Sequence, residues 1–128
     1  MKFLLTLFKA DRYNLVKSSH AQINFRCSKT KNAYTEIVRW NGPLGDFTYL
    51  SRATGPQSGV ANGDVVKATI VGDVITAYIN GVQVLRATDN TYTSGSPGMG
   101  FYLQGTTGVN GDFGFTSFTA TDESVTQR

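Results

Sequence analysis

Apolar and polar residues alternate along most of this chain, and glycine, asparagine and proline interrupt the alternation at short intervals. In the second half of the chain, Gly72-Asp73 and Asn80-Gly81 each lie between two alternating segments. Such pairs favour two-residue hairpin turns, because they adopt the positive φ that these turns need at little steric cost. The pattern therefore predicts antiparallel strands at residues 65–71, 74–80 and 82–87, and a further strand at 99–104.

The first half of the chain also predicts strands, but its N-terminal segment does not indicate a single type of element. Ile23, Phe25 and Cys27 alternate with polar residues, which is typical of a strand with one buried face. Further strands are predicted at residues 34–40, 47–52 and 113–121. The apolar positions of residues 1–20 fit either a helix or a strand. We therefore divide the chain into an N-terminal segment (1–20), a β domain (21–122) and a polar tail (123–128).

About eight short strands separated by turns, in a chain of 128 residues, predict a single all-β domain. The fold class that we expect is an antiparallel two-sheet β-sandwich. Almost no predicted strand is apolar on both sides, as expected when two packed sheets bury alternate residues of each strand. A closed β-barrel is the alternative.

The charge of the chain is low and dispersed. Charged residues make up 16% of the sequence and the formal net charge is +3, without a dense basic cluster. A nucleic-acid-binding surface needs such a cluster along one face, so we expect no nucleic-acid partner.

Lys9 and Asp11 end the N-terminal apolar run before it reaches the length of a signal-peptide core or a membrane span. We expect no membrane span and treat this run as part of the folded chain, with Ser19-His20-Ala21 as a weak cleavage site.

Cysteine and histidine chemistry is limited, because the chain has one residue of each type. Cys27 has no partner for an intramolecular disulfide, and its apolar neighbours at alternate positions predict a small buried hydrophobe rather than a reactive thiol. Without a second histidine or a pair of cysteines, a zinc site with nitrogen and sulfur ligands is nearly excluded.

Residues 63–85 carry a pattern that is typical of one family. Gly63-Asp64 opens an alternating run, Gly72-Asp73 interrupts it, and Tyr78-Ile79-Asn80-Gly81 precedes its last apolar positions. With Asp89, the glycines that follow it and the closing stretch 111–115, this run resembles the concanavalin A-like lectin and glucanase jelly rolls, in their laminin-G-like and glycan-binding branches. The resemblance begins at about Ile23 and covers most of the chain. It implies a jelly-roll sandwich, a role in carbohydrate binding and an extracellular location.

Domains of this family are longer, and the strands expected before Ile23 have no obvious counterpart in residues 1–20. The chain therefore looks like a jelly roll that lacks part of its N-terminal portion. A sheet without those strands leaves unpaired backbone N–H and C=O groups at an edge. We expect a homodimer through exposed strand edges, unless residues 1–20 cover the gap.

The sequence does not predict an enzyme. Retaining glycanases of the resembled family carry two acidic residues on one strand, since hydrolysis needs an acid and a nucleophile about 5–5.5 Å apart. The nine carboxylates of this chain are mostly isolated in turns, and Glu36 alone lies well inside a predicted strand. The sequence also has neither a Gly-x-Ser-x-Gly motif nor a plausible Ser-His-Asp arrangement. We expect no hydrolase or acyl-transfer activity.

Polar and aromatic residues on the predicted strands favour a binding site instead. Sugar sites combine an aromatic surface for the C–H face of a pyranose with a few hydrogen-bonding side chains for its hydroxyl groups. Six residues fit this description and are our candidates for ligand binding: Arg26, Glu36, Arg39, Trp40, Tyr49 and Gln104. Alternation puts Glu36 and Trp40 on one side of their strand and Arg39 on the other. The alternative is structural, with Trp40 in the core, Arg39 or Arg26 paired with Glu36, and the tyrosines closing the edge of the sandwich.

We expect no cofactor. Calcium is the alternative, through Asp89-Asn90 and Asn110-Gly111-Asp112, since lectins of the resembled type often bind it through loop oxygens. The function that we expect is a lectin-like, non-catalytic carbohydrate-binding or adhesion module whose partner is a polysaccharide or glycan. The alternatives are a structural β-sandwich of a larger surface or virion protein, and a remnant of a glycoside hydrolase or polysaccharide lyase.

Overall fold

The computed structural model of this chain describes residues 2–6, 17–43, 45–92, 98–102, 116–117 and 119–121. Within these ranges the chain forms eight β-strands and one short 3-10 helix, Pro56–Ser58. The strands are β1 (Lys2–Thr6), β2 (Lys17–Arg26), β3 (Tyr34–Pro43), β4 (Phe47–Thr54), β5 (Val66–Val71), β6 (Val74–Ile79), β7 (Val82–Thr88) and β8 (Gly98–Tyr102). The all-β class predicted from the sequence is confirmed. In the same residues, no helix has the length and apolar character needed to cross a membrane.

The described strands form two antiparallel sheets that share one core. Five strands lie in the order β4-β3-β2-β1-β8, and three lie in the order β5-β6-β7. Ile23, Phe25 and Ile37 of the larger sheet and Ile75 and Ile79 of the smaller sheet belong to the same buried cluster. The two sheets therefore pack against each other through alternate residues, which gives the chain a sandwich-like architecture.

The N-terminal segment contributes to the larger sheet. The sequence leaves a helix and a strand open for residues 1–20, and the structure forms the strand β1 there and begins β2 at Lys17. β1 pairs with β2 on one side and with β8 on the other, so it lies in the interior of the sheet. Backbone pairing on both sides explains how a segment without a clear amphipathic period becomes a strand. Homodimerisation through the remaining strand edges stays a prediction.

The two hairpin turns of the smaller sheet have the conformations that their residues predict. Asn80 and Gly81 both have positive φ, 52° and 80°, as a type I′ turn between β6 and β7 requires. Gly72, which starts the turn between β5 and β6, has a φ of 61°. Both turns join strands that pair from their first residues onward, so the register of the sheet begins at these turns.

Cys27 directly follows β2 and packs, partly buried, against the shared core. Burial raises the pKa of its thiol. A raised pKa keeps the thiolate fraction low near neutral pH, which agrees with a packing role for this side chain.

Asp64 ties the loop before β5 to two neighbouring segments. Its Oδ1 accepts a hydrogen bond from Asn80 Nδ2 at 3.0 Å. Its Oδ2 accepts a hydrogen bond from the Ala61 N–H at 2.9 Å and lies 3.0 Å from Lys29 Nζ. The bond from Asn80, together with those from Ala61 and Lys29, holds the pKa of Asp64 below its usual value, although burial opposes this shift.

The lowered pKa of Asp64 makes a pH-dependent contribution to stability. Ionised Asp64 stabilises the fold above the pKa that it has in the unfolded chain, and this contribution is lost as the pH falls through the lower, folded-state pKa. We expect Asp64→Asn to reduce the free energy of unfolding at about pH 7 and to change it much less at about pH 2. Urea unfolding at both pH values measures the difference. Asp73→Asn, in the exposed turn after β5, is the control. Equal losses for Asp64→Asn at both pH values would contradict a charge-based role.

Candidate functional site

The turn between β3 and β4 brings two aromatic rings together. The Asn41 N–H donates to the Asp46 carbonyl at 3.0 Å, and the Asp46 N–H donates to the Pro43 carbonyl at 3.0 Å. These bonds close the turn tightly, so that Trp40 near the end of β3 pairs with Phe47 at the start of β4. Their ring centroids lie 5.1 Å apart, with an angle of 49° between the ring planes.

Tyr49, the next aromatic residue of β4, lies on the same face as Phe47, and a β-bulge follows it. Ile37 pairs with Ser51, whereas Val38 pairs with Tyr49, so Leu50 is an extra residue on β4. Leu50 packs against the core. Strict alternation from Ser51 would turn Tyr49 toward the core, but the extra residue reverses its direction, which is the usual effect of a bulge. Tyr49 therefore lies on the face of the sheet that points away from the core.

Trp40, Phe47 and Tyr49 form one connected group of rings, which we call the aromatic surface. The Phe47 and Tyr49 centroids are 5.1 Å apart and their planes meet at 80°. Phe47 is 37% exposed and Tyr49 is 55% exposed, and Trp40 is partly exposed. Large apolar side chains that stay in contact with solvent at this margin of the sheet form a surface suited to a ligand.

Two arginines and a tyrosine lie on the same face, nearer the other end of β3. The guanidinium of Arg52 lies over the Tyr34 ring at 4.4 Å from its centroid, and that of Arg26 lies at 5.8 Å. Arg52 is exposed and Arg26 is partly exposed. We call this group the arginine–tyrosine cluster. Tyr34 and Arg52 lie on β3 and β4, the strands of the aromatic surface, and Arg26 ends the neighbouring strand β2, so the cluster adds positive charge to the face.

The centre of this face is buried and combines the apolar side chain of Val38 with a group of polar side chains. Glu36 is 3% exposed, and its Oε1 accepts a hydrogen bond from Asn24 Nδ2 at 3.1 Å. Asn24 Oδ1 in turn accepts one from Gln22 Nε2 at 2.7 Å. With so little exposure, Glu36 holds the side chains of β2 in place and does not offer its carboxylate to solvent.

Arg39 points to the opposite side of β3, as alternation predicted, and it pairs with Asp89 rather than with Glu36. Arg39 Nη1 lies 2.8 Å from Asp89 Oδ1 and 3.2 Å from Thr91 Oγ1. The side chains of Arg39 and Asp89 are 25% and 7% exposed. Next to them, the Tyr92 hydroxyl donates to the Trp40 carbonyl at 2.7 Å. Arg39 therefore fastens the segment after β7 to β3.

The structure thus brings together four of the six residues proposed from the sequence. Arg26, Glu36, Trp40 and Tyr49 share one face, Arg39 lies on the other, and Gln104 lies outside the described residues. Sequence reasoning missed Phe47, Tyr34 and Arg52 on the same face. Phe47 could have been found from the sequence. It follows Trp40 across a short turn and is two residues from Tyr49, so alternation puts it on the same face.

The described residues contain no group of three or more His, Cys, Asp or Glu side chains that could hold a metal ion. Asp89, one of the residues considered for calcium, uses its Oδ1 to accept hydrogen bonds from Arg39 and Thr91. Asn110, Gly111 and Asp112, the other residues considered, lie outside the described residues.

No protein-family model, curated protein or solved structure matches this chain. The aromatic surface and the arginine–tyrosine cluster lie together on the outer face of the larger sheet.

Proposed function

We propose that this chain is a non-catalytic carbohydrate-binding module and that the aromatic surface is its sugar-binding site. The observation that carries the proposal is the contact between three partly exposed rings, Trp40, Phe47 and Tyr49, on one sheet face. Aromatic side chains in contact with solvent bind the C–H faces of pyranose rings by excluding water from both surfaces.

The tilt between the rings limits how a sugar can bind. Because the ring planes of Trp40 and Phe47 meet at 49° and those of Phe47 and Tyr49 at 80°, one flat sugar ring cannot cover all three at once. Successive residues of a glycan chain would each contact a different ring. We therefore propose an oligosaccharide or polysaccharide rather than a monosaccharide as the ligand.

The acidic residues of this face support binding without bond cleavage. Glu36 is the sole carboxylate in β2, β3 and β4, and it is buried. Glycoside hydrolysis by the usual mechanisms needs two carboxyl groups on either side of the scissile bond. We propose that Glu36 has a structural role, and the proposed binding involves no cofactor.

The fold that we propose is the concanavalin A-like jelly roll. Its support is the packing of two antiparallel sheets through one core, together with the sequence pattern of residues 63–85. The outer face of β3 and β4 is the part of this fold on which the sugar would lie.

Tyr49→Ala tests the proposed site. Tyr49 is the most exposed ring of the aromatic surface, so its removal should cost binding without creating a core cavity. We expect affinity for a bound polysaccharide to fall about tenfold, as for the loss of one central aromatic contact. Affinity electrophoresis through gels that contain a panel of neutral and acidic polysaccharides measures the change.

Tyr78→Ala is the matched control, because Tyr78 lies on β6 in the other sheet, where Lys67 stacks on its ring at 4.5 Å. Retention of Tyr78→Ala should equal that of the wild type, provided that both variants keep the circular dichroism spectrum of the parent. Absence of retention on every polysaccharide would contradict the proposal and favour a purely structural module. Turnover of a glycan that is lost in Glu36→Gln would instead contradict the non-catalytic assignment.

A further inference from the structure

We propose that the glycan ligand is anionic, and that Arg52 and Arg26 bind its carboxylate or sulfate groups. This inference rests on the proposed function and names the chemical class of its ligand. Its basis is the arginine–tyrosine cluster, which lies on the same face as the aromatic surface and spans β2, β3 and β4.

Stacking on Tyr34 leaves the guanidinium groups ready to bind an anion. A cation–π contact uses the flat side of the guanidinium, while the N–H donors point outward in its plane. In the described part of the chain, no carboxylate lies within ion-pair distance of Arg26 or Arg52. The Tyr34 ring therefore holds both guanidinium groups nearby, and within the described residues no carboxylate competes for their donors, which can make bidentate hydrogen bonds to an anionic group.

The charge balance of the face favours an anion. β2, β3 and β4 contain one carboxylate, that of Glu36, and its Oε1 already accepts a hydrogen bond from Asn24. Two guanidinium groups close to one buried carboxylate leave an excess of positive charge near solvent. Exposed charges of this kind attract an anionic polymer and repel a cationic one.

The spacing of the two groups suits a chain-like ligand. Tyr34 and Trp40 lie on the same face of β3, six residues apart, which corresponds to about 20 Å of strand. On β4, the bulge places Tyr49 and Arg52 on this face as well. One extended glycan along β4 would therefore contact the rings with its sugar faces and the arginines with its acidic substituents.

The test compares polysaccharides that share a backbone but differ in charge. The probes are dextran, carboxymethyl dextran and dextran sulfate, with hydroxyethyl cellulose and carboxymethyl cellulose as a second backbone. We expect the wild type to bind at least one anionic polymer about tenfold more tightly than its neutral counterpart, with the preference falling as salt is raised. Arg52→Gln should remove about fivefold or more of that affinity. The carboxymethyl and sulfate arms show which anion is preferred.

Arg86→Gln is the matched control, because Arg86 is an exposed arginine on an edge strand of the other sheet. Its affinity should stay within about twofold of the wild type. An equal loss in Arg86→Gln, or no loss in Arg52→Gln, would show general charge attraction and overturn the inference. Equal binding of neutral and anionic polymers, still lost in Tyr49→Ala, would overturn the inference and leave the proposed function standing. No binding to any probe would contradict both.

Discussion

Replacing Gly59 by alanine is expected to destabilise the fold by about 3 kcal/mol or more, the largest loss that we predict for a single methyl group. A Cβ atom at Gly59 would overlap the backbone carbonyl oxygen of Ser28 and would lie 2.7 Å from the Cβ of Ala33. The first contact is with backbone rather than with a flexible side chain. The added methyl group can therefore be accommodated only if one of the two chain segments moves.

Neither segment moves easily, because hydrogen bonds hold the chain on both sides of Gly59. The Val60 N–H donates to the Arg26 carbonyl at 2.9 Å. On the other side, the buried Thr35 hydroxyl donates to the Ser58 carbonyl at 2.7 Å. Displacement of Gly59 would break or lengthen these bonds and separate the loop from the ends of β2 and β3.

Urea unfolding of Gly59→Ala and Gly42→Ala measures the effect against a matched control. Gly42 lies in β3, and a Cβ built there meets no atom within 4 Å. We expect Gly42→Ala to change the free energy of unfolding by less than about 1 kcal/mol. Similar losses for the two variants would contradict the close backbone approach at Gly59.

Arg39→Met is expected to destabilise the fold by about 2 kcal/mol, because it leaves the Asp89 carboxylate buried without its charged partner. The Asp89 side chain is 7% exposed, and its Oδ2 is buried without a hydrogen bond from the described residues. Methionine keeps the apolar stem of the side chain and removes the charge. The 25% exposure of Arg39 lets water compensate in part, which keeps the expected loss below that of a fully buried pair.

A second substitution separates the loss of the ion pair from the loss of packing. The double variant Arg39→Met/Asp89→Asn no longer carries the buried Asp89 charge. We expect it to recover at least half of the stability that Arg39→Met loses, as measured by thermal unfolding. Since Arg39 lies on the face opposite the aromatic surface, the folded Arg39→Met protein should keep its glycan affinity. A double variant less stable than Arg39→Met, or a selective loss of binding, would contradict the anchoring role.

Local features of the sequence predicted the parts of the fold that depend on neighbouring residues. The turn at Asn80-Gly81 needs two adjacent positive φ values, and the sequence supplies the residues that tolerate them. The alternation of Ile23 and Phe25 likewise predicted a strand with one buried face, and both side chains lie in the core. Such features need no knowledge of the rest of the chain.

Features that depend on distant partners could not be predicted from the local sequence. β1 is a strand because it pairs with β2 and with β8, whose Tyr102 lies 100 positions after its partner Lys2. The pair between Arg39 and Asp89 spans 50 residues. The bulge at Leu50 puts Tyr49 and Arg52 on one face of β4, whereas strict alternation would put them on opposite faces. The sequence therefore suggested the aromatic candidates, but the face that they share with Arg52 depends on tertiary structure.

Trp40 provides the most direct test of the aromatic surface, because it is the single tryptophan of the chain. The protein is titrated with a polysaccharide that retains it in affinity electrophoresis, and the fluorescence of Trp40 is recorded. Because the chain has one tryptophan, this signal reports on the aromatic surface alone. A sugar ring that covers the aromatic surface removes water from the indole, so we predict a saturable shift of the emission to shorter wavelength. The midpoint should match the affinity measured by electrophoresis and should move about tenfold in Tyr49→Ala. Saturated binding with unchanged Trp40 emission would place the ligand elsewhere and contradict the proposed site.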